Sequence, residues 1–565
     1  MISAENTVVN PSQLAWTVSV RVRIALLAGS TLLCASFVGV SANARPVASE
    51  AQVPPATVPG EPLFVVSGRG YGHGVGMSQF GAYGMANAGY AYEKILAYYY
   101  AGTQLGRTIR TNVRVLLEEG RKAVSISSTV PYSVVDATRT AHRIPARPLI
   151  LRTDLTLPDP AGPIPATGPL VVRPGKGAPL SLDGRPYRGK LEVAVQGAFL
   201  RVVDIVGLEL YLDGVVPGEM PQAWPSAALE AQAVAARSYA LANLVKNKPF
   251  DLYADQRSQV YLGVAGEKPR TSAAVSATAG RIVVYGGKVA STLYFASSGG
   301  KTASAQDVFG ITVPYLVSRP DPWDASSPYH TWGPILFAAR AIQAKLGVKG
   351  HVLDVVGVPT PSGRLRSLSI ATGTGPTTIP SALLRTGLGL RSTWVTIGVL
   401  RLDRPTAAVV YGSSVHLTGI ARGLVAPTLS SSANGTAWTR VGAVQPDSTG
   451  AVDILARPVQ TTRYRIEVKG ASSPALLLRV APRVRISVPA EADALAGTVK
   501  PRLAGATAIV ERLGPTGWGQ VGRAPVGTTG AFHVSLALTP GSYRARVPAT
   551  GGFAEGTTPV LEVKG

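Results

Sequence analysis

The sequence predicts an α+β region, mainly β with a few helices, followed by all-β sandwich modules. Three observations carry this expectation. An alanine-rich helical stripe with a sharp start signal lies in residues 215–241, short alternating apolar runs broken by Gly and Ser/Thr turns fill the chain beyond Leu402, and a faint internal repeat runs through that last part. At 565 residues the chain has room for roughly two to four domains.

The N-terminus carries Arg21 and Arg23, an apolar run over 24–40, and then Ser41-Ala42-Asn43-Ala44, a small-x-small cleavage pattern. The expectation is a signal peptide over 1–44, cleaved after Ala44, and a Pro/Ala/Val-rich linker over 45–62. The protein is then secreted or held at the cell envelope. An apolar run of about 17 residues is near the lower limit for a membrane span, so an uncleaved anchor is the competing reading, and the membrane is met only there. The sole cysteine, Cys34, lies inside this run, so the exported part has no disulfide and no cysteine metal site.

A formal charge of +23, mostly arginine and spread along the chain, suits an anionic envelope polymer. Biased genome composition is the plainer account of the arginine. Nucleic acid is not expected as a partner, since no finger, basic zipper or aromatic RNA-binding signature is present.

Residues 63–105 begin as an alternating strand with Gly68, Gly70, Gly72, Gly74 and Gly76 at every second position, then turn helical over 82–88 and 92–100. His73, flanked by glycines, is read as open to a ligand. It has no second ligand at metal spacing, so no metal and no cofactor are expected, and the glycines lack the spacing of a dinucleotide loop. The Pro/Gly-dense residues 158–179 read as a surface loop between strands. LELYLDG, residues 208–214, reads as a strand leading to the site, with Glu209 and Asp213 as solvated acids.

Glu219 then stands just before a helix whose start is marked by Trp224-Pro225-Ser226. Leu229, Ala233, Ala236, Ala240 and Leu244 form its inner stripe. Glu219 is either a proton-transfer group or a helix-entry carboxylate favoured by the macrodipole. Arg237 is either a planar fork for a substrate oxygen or one half of an ion pair, for example with Glu230. Gln259 and Tyr261 flank Val260, which places an amide and a phenol on one strand face, suited to sugar hydroxyls.

The words VVPGEMPQAWPSAALEAQAVAARSYAL, DQRSQVYLG, YFASSGGKTASAQDVFG, VPYL and DPWD occur in order. Together they resemble the SpoIID/LytB family of bacterial cell-wall proteins, over roughly residues 63–400. In that family the glutamate of Glu-Met-Pro is the proposed catalytic residue of a lytic transglycosylase, which implies that role for Glu219. The matching words hold Arg237, Gln259, Tyr261, Ser298, Thr302 and Tyr315 as candidate substrate contacts, with a buried hydrogen bond as the plainer account of Thr302 and Tyr315. Ala254-Asp255-Gln256-Arg257-Ser258 stands where some members carry a Cys/His zinc word, so no metal is implied. The segment VSGRGYGHGVGMSQ usually closes the domain, whereas here it comes first, and 383–398 resembles what normally precedes it. A circular permutation is the expectation, with His73 and Gln79 brought beside Glu219.

In the C-terminal part Trp438, Thr449-Gly450 and Arg463-Tyr464-Arg465 recur as Trp518, Thr529-Gly530 and Ser542-Tyr543-Arg544, roughly 80 residues apart, which suits one immunoglobulin-like sandwich per unit. The expected modules are 401–483 and 484–565, serving to bind or position. Two functions follow from the resemblance. One is an exported lytic transglycosylase on peptidoglycan glycan strands. The other is a non-catalytic LytB-like wall-binding protein that modifies a cell-wall amidase. A third class, a surface adhesin or scaffold, draws on the β modules alone and leaves the Glu219 word unexplained.

Overall fold

A computed structural model describes residues 60–159, 161–490 and 493–564. The expected signal peptide, Cys34 and nearly all of the linker lie outside them. The described residues are mostly β, with eight α-helices: α1 (Gln79–Asn87), α2 (Tyr92–Tyr99), α3 (Leu208–Glu219), α4 (Ser226–Ala242), α5 (Pro269–Ala277), α6 (Ala305–Phe309), α7 (Ala339–Leu346) and α8 (Ser381–Leu388). Among the described residues no helix is long and apolar enough to cross a membrane.

A seven-stranded sheet supports the site. Its strand Phe199–Gly207 pairs with Asn112–Arg121 on one side and Lys190–Gln196 on the other, then runs straight into α3 through Gly207. The expected strand over 208–214 is the first half of this helix. Leu208, Tyr211, Leu212, Val215 and Val216 are buried at helical spacing, while Leu210, which a strand would bury beside Leu208 and Leu212, is 40% exposed. Over five residues the period of two is visible; over nine, the helical period fits better. Residues 158–179 also contain more than a loop, since Leu170–Arg173 is an interior strand of the same sheet with Leu170 and Val172 buried.

The start signal for α4 matches its position. The Pro225 carbonyl accepts from the Ala228 and Leu229 N–H groups at 3.0 and 3.2 Å. Nearly every residue from Ala228 to Ala240 is buried, so α4 is a central helix rather than one with a single inner face. Its alanines let α1, α2, α3 and α5 pack closely around it.

Within the glycine-rich segment the strands are Leu63–Gly68 and the two residues Met77–Ser78, and the glycines from 70 to 76 lie between them. Gly70 and Gly76 have φ of +73° and +82°. A Cβ on Gly70 would lie 2.6 Å from the Ser297 carbonyl oxygen, and one on Gly76 would strike that of Leu293. The alternation therefore records left-handed turns pressed against another backbone, not a pleat.

Strand Leu63–Gly68 lies between Trp332–Ala338 and Val395–Leu402, in a five-stranded sheet that continues into Val415–Arg422 and Ala451–Ala456. Phe64 and Val66 face one core and Leu63 and Val65 another, which accounts for the unbroken apolar run. The expected boundary at 400/401 falls inside strand Val395–Leu402. Further on, the Arg465 guanidinium lies 3.9 Å from the centre of the Trp438 ring and that of Arg544 lies 4.3 Å from Trp518, so the repeated residues make the same pair twice.

Candidate active site

Glu219 is the last residue of α3. Pro217, in that final turn, has no N–H to give, and the chain leaves the helix at Met220 in an extended conformation. The helix C-terminus is an unfavourable place for a negative charge. The macrodipole therefore does not account for Glu219, and the expected helix-entry placement before α4 is corrected.

Two distant segments meet its carboxylate. Gln79, the first residue of α1, donates from Nε2 to Oε2 at 3.4 Å, and the Tyr294 hydroxyl donates to Oε1 at 3.2 Å. Parallel pairing of Tyr294–Phe295 with Met77–Ser78 brings these partners together. Behind them, Gln259 Nε2 donates to the Tyr294 hydroxyl at 2.8 Å, while Gln259 Oε1 lies 3.2 Å from the Tyr211 hydroxyl. With its oxygen accepting from Gln259, the Tyr294 proton is directed at Glu219. Burial pushes the Glu219 carboxyl up to about 7, against the opposing pull of the Tyr294 and Gln79 hydrogen bonds. The residue still keeps part of its surface open to solvent. Its bound partners are a phenol and an amide, not a second carboxylate.

A buried acid holds the start of α1. Ser78 caps the helix by accepting from the Gly81 N–H at 3.1 Å and donates its own hydroxyl to Asp324 at 3.1 Å. Asp324 is fully buried and also accepts from the Ser297 hydroxyl and the Ser298 and Gly299 N–H groups, each at 2.9 Å. The separate sequence words thus converge on the framework that orients Gln79 and Tyr294.

The other expected contacts fall elsewhere. Arg237 is fully buried, pairing with Glu209 through Nε at 3.0 Å and donating to the Arg281 carbonyl at 3.0 Å. It joins α4 to α3 and is out of a substrate's reach, and its partner is Glu209 rather than Glu230. Glu209 is therefore an ion-paired acid, still about a third exposed, rather than a free solvated one, and Asp213 is half-buried, its carboxyl raised by burial. His73 is buried, not open: its ring packs on Phe295 and Phe309, and Nδ1 accepts the Val75 N–H at 3.0 Å. Burial, with Arg385 nearby, holds it down to about 3.

Gln259 and Tyr261 are on no strand, and Tyr261 is buried, donating to Asp204 at 3.0 Å. Ser298 and Thr302 are buried and bond backbone groups, and the Tyr315 hydroxyl accepts the Ser291 N–H at 2.9 Å. Sequence reasoning missed Tyr294 as a site residue. It stands inside a quoted word, but only the pairing with Met77 shows what it faces. Among the described residues no group of three or more His, Cys, Asp or Glu side chains gathers as a metal site would require.

A family model described as Stage II sporulation protein (SpoIID) matches residues 196–285, the stretch that includes Glu219 and α4. Stage II sporulation protein D of Bacillus amyloliquefaciens is 31% identical over 238 residues, 39% of this chain and 67% of that protein. Its namesake in Bacillus subtilis is 32% identical over 207 residues, covering 34% and 60%. The amidase enhancer of B. subtilis is 36% identical over 147 residues, 26% of this chain and 20% of its own length. The chain belongs to the SpoIID/LytB family, and the matched stretch spans less than two thirds of the last two relatives.

Proposed function

We propose that this protein acts on the bacterial cell wall as a lytic transglycosylase of peptidoglycan glycan strands, with Glu219 as the single acid and base. The observation that carries the reading is the state of Glu219, a residue neither fully buried nor fully exposed whose carboxyl is pushed up to about 7 by burial and held by two neutral donors. A general acid works best with a pKa near ambient pH.

Protonated Glu219 gives its proton to the glycosidic oxygen as that oxygen's bond to C1 of muramic acid breaks. The sugar's own C6 hydroxyl forms the new bond to C1, and the carboxylate takes the hydroxyl proton. One C–O bond replaces another, no water enters, and Glu219 ends protonated as it began, so no second carboxylate is required. Gln79 and Tyr294 hold the carboxylate in the ionised half of the cycle.

The same reading places the protein outside the cytoplasm, in keeping with residues 21–44, and gives the working role to the part that begins at Leu63 and shares its five-stranded sheet with Val415–Arg422 and Ala451–Ala456, leaving the residues beyond 483 to bind or position. It treats the glycine-rich segment as moved to the front. In its support, Leu63–Gly68 pairs with Val395–Leu402, and the Gly72 N–H donates to the Arg391 carbonyl at 3.0 Å. The second reading, a non-catalytic modifier of a wall amidase, draws on the likeness to the amidase enhancer.

Intact and peptide-stripped glycan incubated with the chain and with Glu219→Gln separates the two readings. The expected result is 1,6-anhydro-muramic ends, seen by mass spectrometry, from the unaltered chain only. Binding by both forms with no cleavage by either supports the modifier.

A further inference from the structure

A chain of aromatic contacts starts next to Gln79, the partner of Glu219. Phe80 follows Gln79 on α1, and its ring lies 5.0 Å from that of Trp224, just beyond the Glu219 word. Phe80 is also 6.1 Å from Tyr329, which is 5.0 Å from Tyr71. These four rings are neither core nor fully exposed. They come from three separate stretches of chain, since Tyr71 and Phe80 share the first, so no single helix or strand periodicity accounts for their contacts.

The far end of the line is cationic. The guanidinium of Arg391, an exposed residue, lies 4.9 Å from the centre of the Tyr329 ring and 5.7 Å from that of Tyr71. Beyond Tyr71, a cleft of about 430 Å³ is lined by Trp332 and Trp394, with exposed Arg69 and the hydroxyls of Ser67, Thr331 and Thr396. Half-exposed rings, with hydroxyls and fixed cations at one end, match a sugar chain that is apolar on its ring faces, polar at its edges and carries carboxylates.

Resting on the lytic-transglycosylase reading, we propose that the line from Trp224 through Phe80, Tyr329 and Tyr71 to the Trp332/Trp394 cleft is the binding track for several sugars on one side of the scissile bond. Arg391 receives the lactyl carboxylate of a muramic residue. The occupant is a glycan strand because the track begins next to Gln79, the partner of Glu219, and because Arg391 and Arg69 at its far end are positive where the strand is negative.

The test is binding by the full chain carrying Glu219→Gln, so that cleavage plays no part, to two probes: a neutral N-acetylglucosamine oligomer and peptide-stripped glycan with free lactyl carboxylates. Adding Tyr329→Ala is expected to weaken both by about tenfold, with Tyr329→Phe restoring them. Adding Arg391→Ala is expected to weaken only the carboxylate-bearing probe, with Arg391→Lys recovering part of the loss. Equal affinity in the alanine variants and their parent, with unchanged melting temperatures, overturns the track even if the unaltered chain cleaves glycan. Loss of binding with ring and charge removed supports the track even if no anhydro ends are ever formed, an outcome that removes only the enzymatic reading.

Discussion

At the scale of single residues, the decisive balance is at Glu219, where withdrawal from water raises the carboxyl and two hydrogen bonds lower it. Removing a donor to the charged form tips that balance toward protonation. Tyr294→Phe is therefore expected to move the Glu219 pKa above its value of about 7. The limb of the rate profile on which protonated Glu219 is lost should shift to higher pH, read from initial cleavage rates between pH 5 and 9. An unmoved limb would mean that Tyr294 does not govern the acid. His73 gives a second pH signature, in stability. Its folded-state pKa, about 3, lies below the ordinary 6.5. Its contribution is thus full above pH 6.5 and is lost as pH falls toward 3, because the unfolded chain takes a proton that the folded one refuses. His73→Asn, which keeps an acceptor for the Val75 N–H, should reduce the fall in urea midpoint between pH 7 and 4.5.

At the scale of elements, α3 and α4 carry the site and Arg237 ties them together. Removing Arg237 takes away the hydrogen bonds that Glu209, about a third exposed, and the Arg281 carbonyl accept from it, which costs on the order of 1–3 kcal/mol. Arg237→Leu is accordingly expected to lower the melting temperature by several degrees. Residual cleavage per folded molecule should keep its KM, since Arg237 does not meet the substrate, and a raised KM at unchanged stability would restore the fork as a binding group. Reading α3 from sequence failed for a definable reason: LELYL satisfies a period of two, and only Val215 and Val216 further along reveal the helix. The α4 signal was legible because Trp224-Pro225-Ser226 punctuates the backbone locally. The glycine alternation was visible but ambiguous, since the same spacing serves a pleat or a row of left-handed turns, and the Leu293 and Ser297 carbonyls that decide it are more than 200 residues away in sequence.

At the scale of the whole molecule, the sheet that holds Leu63–Gly68 crosses residue 400, whereas the core built on Val484, Leu495, Val510 and Tyr543 is made from residues beyond 483. A chain ended at 482 should keep the cooperative transition of the remainder. One ended at 400 strips two strands from the sheet, uncovers Leu63, Val65 and Leu400, and should lose that transition, with calorimetry and limited proteolysis as the readout. By itself the sequence determined the family, the identity of Glu219 as the residue of interest, the start of α4 and the repeated Trp and Arg positions, because each is written in neighbouring residues or in a word that does not depend on folding. Only the tertiary structure decided that Gln79 and Tyr294 hold the carboxylate, that Arg237 and His73 are interior, and that four rings from three segments meet beside the site. Burial and long-range hydrogen bonding depend on which backbone lies opposite, and local spacing does not encode that.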